Sequence, residues 1–148
     1  MKWRYPYTAL VLCVVAFFVT MLARLAISPI APLIIDEFGV SKSLIGVALT
    51  GMWLAYALAQ FPSGVLSGQY GEKRVILAAV GGMSVVAVGL AFSPAFAVFV
   101  LCCFLLGGFA GLHYPAATVL LTRTFDEAGT VIGIHGFGAP VAGLVTPV

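Results

Sequence analysis

The chain has 148 residues, of which 62% are hydrophobic and 8% charged, with a formal net charge of +2. Soluble domains average about 25% charged residues, so a water-soluble packed core is excluded. The few basic residues form no stripe of the kind that nucleic-acid binding needs, and the three cysteines all fall in apolar runs, where a thiol behaves as a small apolar side chain rather than a disulfide or metal ligand.

Apolar runs of 18 or more residues mark membrane helices. On that criterion five spans are expected, at about 8 to 35, 44 to 67, 75 to 93, 95 to 121 and 129 to 148. The fold class is therefore all-α, a polytopic membrane helix bundle. The connections are too short to hold a soluble domain, so the chemistry lies in or beside the bilayer. Lys2, Arg4, Lys73, Arg74 and Arg123 fall on one side of this topology and only Lys42 on the other. The bias toward positive charge inside places the N-terminus in the cytoplasm.

The first span carries Arg24, the leading candidate for a site residue. A charged side chain within a span costs roughly 2.5 to 3.5 kcal/mol and usually faces a bundle interior or a watery cavity. Thr20, Arg24 and Ser28 recur every fourth residue and share one helix face. Pro29 and Pro32 follow and should bend a helix that, at roughly 42 Å, is long for a bilayer. A guanidinium binds carboxylate or phosphate through two parallel hydrogen bonds. The other reading of Arg24 is a cation satisfied by nearby carbonyls or reaching toward an interface.

The second span carries Trp53, Tyr56, Gln60, Ser63 and Ser67 along one stripe, which suits either a cavity wall or helix packing. In the fourth span Gly107, Gly111 and Pro115 are four apart, a spacing for close helix approach. His113 and Tyr114 flank that seam, though one helix is not expected to place both on the same face. His113 and His135 are the membrane groups that titrate nearest neutrality, which suits either a proton relay or a structural role. Asp36, Glu37, Glu72, Asp126 and Glu127 all sit at helix ends or in loops. No nucleotide-binding loop, metal cluster or Ser, His and Asp set supports catalysis, so neither an enzyme nor a cofactor or metal is expected.

Between the second and third spans runs Gly64-Val-Leu-Ser-Gly-Gln-Tyr-Gly-Glu-Lys-Arg74. It resembles the loop between helices 2 and 3 of the major facilitator superfamily, G-x-L-x-D-R-x-G-R-K. Gly64, Leu66, Gly71 and Lys73 match by position and Arg74 adds a further base. Gly68 stands in place of the family's Asp, Gln69 in place of Arg, and Glu72 in place of a base. The family's carboxylate latch is thus in doubt here. The fifth span resembles the family's G-x8-G-x3-G-P pattern through Gly133, Ala142, Thr146 and Pro147, and Leu121 to Ile134 resembles its junction between helices 4 and 5. Arg24, eight residues before Pro32, is also similar to an Arg of the organophosphate and phosphate antiporters, where it binds the substrate phosphate.

The resemblance implies an incomplete N-terminal half, about helices 1 to 5, of a twelve-helix transporter with its substrate site between two halves. It implies a multi-pass plasma-membrane protein that moves a small solute by alternating access, and Arg24 with the absence of a carboxylate inside any span points to an anionic or neutral solute. Arg24, Thr20, Ser28, Trp53, Tyr56, Gln60, His113 and Tyr114 would form the substrate-facing set. The remaining C-terminal helices, the lipid bilayer, and a coupling proton or counter-substrate would be its partners. The alternative is a complete small membrane protein that oligomerises in an assembly or interaction role.

Overall fold

The computed structural model describes residues 5–146, so Lys2, Arg4 and Pro147 lie outside the described residues. Those residues form seven helices and no strand: α1 Tyr5–Leu25, α2 Ala31–Phe38, α3 Lys42–Tyr70, α4 Glu72–Ala91, α5 Phe96–Thr124, α6 Ala128–Gly136 and α7 Gly138–Val145. Five stretches are long and apolar enough to cross a membrane, namely α1, α3, α4, α5 and the run through α6 and α7.

The first expected span, about 8 to 35, is not one bent helix. It breaks after Leu25 into a turn over residues 26–30 before α2 begins. The reason is the proline pair. Pro29 and Pro32 lack the N–H that a continuous helix requires, and Pro32 instead occupies the first turn of α2, where that N–H is unpaired anyway. The fifth span is likewise divided, by Phe137, into the short helices α6 and α7.

α5 is the central helix because it is apolar on every face. It packs most extensively on α3 and α4 and also meets α1 and α6, while α1 lies chiefly against α7. The α3 contact is backbone to backbone. A Cβ on Gly107 would collide with the Met52 carbonyl, and one on Gly111 with the Tyr56 carbonyl. Ser63, buried on the same seam, donates its hydroxyl to the Leu112 carbonyl at 2.6 Å. The lower part of the second-span stripe is thus helix packing.

Two apolar clusters result. One gathers Ile27, Ile34, Met52, Phe99 and Leu106. The other gathers Cys13, Ala117, Leu121 and Val131. His113 lies on α5 between the two sets, so a polar layer separates two dry ones.

The α3–α4 junction is a single residue, Gly71, at φ +86°. Only glycine takes that conformation without strain. Next to it, Glu72 pairs with Arg123 at the end of α5, and Lys73 Nζ lies 4.5 Å over the Tyr5 ring. These contacts bring the start of α1, the α3–α4 junction and the end of α5 to one end of the bundle.

Candidate functional site

Arg24 is 1% exposed and stands in the last turn of α1, not mid-helix as the uninterrupted apolar run suggested. A cation there complements the helix dipole. Its Nε donates to the Thr20 carbonyl at 3.2 Å and its Nη2 to Met21 Sδ at 3.1 Å. The guanidinium carbon sits 4.1 Å from the Tyr56 ring centre and 4.7 Å from that of Trp53. Cation–π contacts of this kind contribute about 0.5 to 2 kcal/mol each. The Thr20 carbonyl and the Met21 sulfur therefore satisfy part of the guanidinium, but its Nη1 is buried without a hydrogen-bond partner.

The glycine seam explains how α3 delivers these two rings. Gly111 holds the α3 backbone at Tyr56 against α5, which fixes the register of Tyr56 and of Trp53 one turn earlier. The Trp53 and Tyr56 rings meet edge to face at 5.9 Å. Trp53 remains 40% exposed, so the Arg24 region opens on that side.

Not every expected neighbour joins this group. Thr20 is buried, but its hydroxyl donates to the Phe17 carbonyl on its own helix at 2.8 Å. Ser28 is exposed in the turn after α1, because the helix that would have carried it onto Arg24's face has already ended. Gln60 is half-buried one turn beyond Tyr56.

A second polar group lies deeper along α1. Counting 1.5 Å per residue from Tyr5 places Phe17 about 18 Å and Arg24 about 28 Å along the helix. Phe17 meets the rings of His113 at 6.3 Å, His135 at 5.0 Å and Tyr114 at 4.9 Å. His113 and His135 are 5.8 Å apart, and Tyr114 stacks on His135 at 5.3 Å. His113 and Tyr114 do not share one face, as expected of adjacent helix residues, yet both reach the same ring. Adjacent side chains splay to the two sides of a groove, and one ring, Phe17, fills it and touches both. Phe17 escaped notice in the sequence because it is one of eleven phenylalanines. Its place three residues before Thr20 and seven before Arg24 was the available signal.

The two motif regions separate into used and unused positions. Gly71 is required by its backbone, and Leu66 and Arg74 line one shallow depression beside Leu112. Gly64 faces open space. In the fifth span, Gly133 also faces open space, so it is not a packing position. The close approach to α1 occurs instead at Gly138, where a Cβ would lie 3.0 Å from the Phe18 nitrogen. Ala142 is fully buried one turn on, and the Thr146 hydroxyl donates to its carbonyl at 2.8 Å.

The sequence model of the Major Facilitator Superfamily matches residues 13–148, nearly the whole chain. The chain belongs to this superfamily. It is 30% identical over 141 residues to a probable sulfoacetate transporter of Cupriavidus necator, covering 93% of this chain and 32% of that protein. It is 27% identical over 123 residues to a 4-hydroxybenzoate transporter of Pseudomonas aeruginosa, covering 83% of this chain and 28% of that protein. It is 25% identical over 130 residues to a hexuronate transporter of Bacillus subtilis, covering 86% of this chain and 31% of that protein. The chain thus spans about a third or less of the length of these curated relatives. All three are named transporters, and nothing in the matches supports the alternative of an oligomerising interaction protein. Superfamily members are multi-pass membrane proteins, and the five apolar stretches agree with that.

Proposed function

We propose that this chain is the N-terminal part of a secondary transporter that carries a small organic anion by alternating access. The carrying observation is Arg24: a fully buried guanidinium, gripped on its faces by Trp53 and Tyr56, with Nη1 unpartnered. A buried donor left unpaired costs about 1 to 3 kcal/mol, more when charged, and a carboxylate, sulfonate or phosphate oxygen relieves that cost. The relatives' named solutes are organic acids, which supports the same class. Asp and Glu occur only at helix ends and in loops, which leaves no buried counter-charge for an organic cation within the described residues.

The remaining helices of the same protein would close the open side at Trp53 and complete the midplane site. Lys73, Arg74 and Arg123 gather at one end of the bundle, which supports a cytoplasmic location for that end and for the N-terminus in a plasma membrane. The 148 residues alone are not expected to transport.

Uptake by the full-length protein in liposomes tests the reading, with sulfoacetate and 4-hydroxybenzoate as probes. Arg24→Ala should abolish uptake, and Arg24→Lys should weaken it by losing the planar two-point geometry. Wild-type uptake by Arg24→Ala protein would overturn the assignment.

A further inference from the structure

α3 and α4 meet at Gly71, yet each packs chiefly on α5 and only lightly on the other. A groove opens between them. Its walls are Leu66 and Tyr70 of α3 and Arg74, Val75 and Ala78 of α4, and its floor is Leu112 of α5. Ser63, seven residues before Tyr70, bonds the Leu112 carbonyl, so the floor lies about 10 Å inward from the mouth along the helix axis. The groove holds about 250 Å³. Sites for whole small solutes run to about 300 to 1,000 Å³ and enclose most of the ligand, whereas this one has Tyr70, Arg74 and Ala78 exposed along its walls.

Charge enters this groove at one end only. Glu72 pairs with Arg123 and Lys73 lies over the Tyr5 ring, while Gly68 faces open space and supplies no carboxylate. Among the described residues no acid pairs with Arg74. We propose that the groove binds an anionic phospholipid, with Arg74 and the Tyr70 hydroxyl on its phosphate and an acyl chain along Leu66, Val75, Ala78 and Leu112.

Each part of the groove meets a part of that ligand. A guanidinium takes two phosphate oxygens at once through parallel N–H donors, tyrosine sits at headgroup level with its ring toward the apolar zone, and basic pockets between membrane helices hold acidic headgroups. In a bilayer some acyl chain covers the apolar floor whatever its headgroup, because lipid tails are as apolar as leucine. Selection therefore falls on the headgroup. A zwitterionic lipid brings its own cation toward Arg74, and an anionic one does not. The groove involves neither Arg24 nor the rings around it, so its occupancy can be tested without the solute.

The experiment titrates the full-length protein in mild detergent with dioleoyl phosphatidylglycerol or dioleoyl phosphatidylcholine, and native mass spectrometry reads the affinity of the first bound lipid. Wild-type protein should bind phosphatidylglycerol about fivefold more tightly, the effect of one cation close to an anionic lipid. Arg74→Gln should bind the two lipids equally, and Arg74→Lys should keep most of the preference. Lys73→Gln removes the same charge from the neighbouring residue and should leave the preference unchanged. Ala78→Phe, which fills the groove at an exposed position, should weaken the first binding of both lipids. Equal binding of the two lipids by wild type, or a preference that survives Arg74→Gln, overturns the proposal. An equal loss in Lys73→Gln also overturns it, because surface charge alone then selects the lipid. A first lipid indifferent to Ala78→Phe overturns the groove, as when the remaining helices of the protein cover it. Displacement of the lipid by an equal concentration of glycerol 3-phosphate would assign Arg74 to a free phosphate and overturn the lipid.

Discussion

The two polar regions of the interior differ in how they are held. Arg24 is partly satisfied by its own helix and faced by two aromatic rings, one of which stays open at 40% exposure. His113 and His135, about 10 Å deeper, are sealed by Phe17 and Tyr114 and have no polar partner at all. A region that opens at one side suits a ligand with volume. The difference arises from packing: the glycine seam of α3 and α5 presents Trp53 and Tyr56 at the bundle's edge, whereas α1, α5 and α6 close around the imidazoles.

The largest effect should come from breaking the seam that holds the first region together. Gly107→Val drives side-chain atoms into the Met52 carbonyl, and overpacking of this kind costs about 1 to 3 kcal/mol or more. Monodisperse protein should be lost in size-exclusion chromatography. Gly108→Ala, with nothing near its added Cβ, is the matched control and should gain up to about 1 kcal/mol from helix propensity. Equal behaviour of the two variants would remove the seam from the account.

A smaller change separates the aromatic grip from the seam. Tyr56→Leu keeps the backbone contact with Gly111 but removes one cation–π partner, so anion affinity should fall about fivefold while the fold holds, corresponding to about 1 kcal/mol. Ser63→Ala, which deletes the hydroxyl bond to Leu112, should cost about 0.6 kcal/mol, the average for such bonds in membranes, and leave affinity unchanged. Glu72→Gln breaks the ion pair with Arg123, whose side chain is 70% exposed. Surface pairs contribute about 0 to 1 kcal/mol, so thermal unfolding should move least of all in this series.

How far the sequence foretells these regions depends on the range of the interactions. The helices follow from apolar runs, and the close approach at Gly107 and Gly111 follows from a four-residue spacing on one helix. Arg24 stands out because a charge in an apolar run is rare. The break after Leu25 was foreshadowed by Pro29 and Pro32, but prolines do not say whether a helix bends or stops, so Ser28 was placed on a face that does not exist. The meeting of His113 with His135 joins different helices, and no local period encodes it. Phe17 carries no polar label, and only its contacts reveal that it bridges the imidazoles and Tyr114.

The most direct test of the account is a titration of the full-length protein with sulfoacetate and 4-hydroxybenzoate, followed by the fluorescence of Trp53 with every other tryptophan replaced by phenylalanine. Wild-type protein should show a saturable change, Arg24→Lys should bind about tenfold more weakly, and Arg24→Ala should lose on the order of a hundredfold or more, as expected for a buried charge pair left with one partner. Saturation of Arg24→Ala protein at wild-type concentrations of either anion would contradict the account.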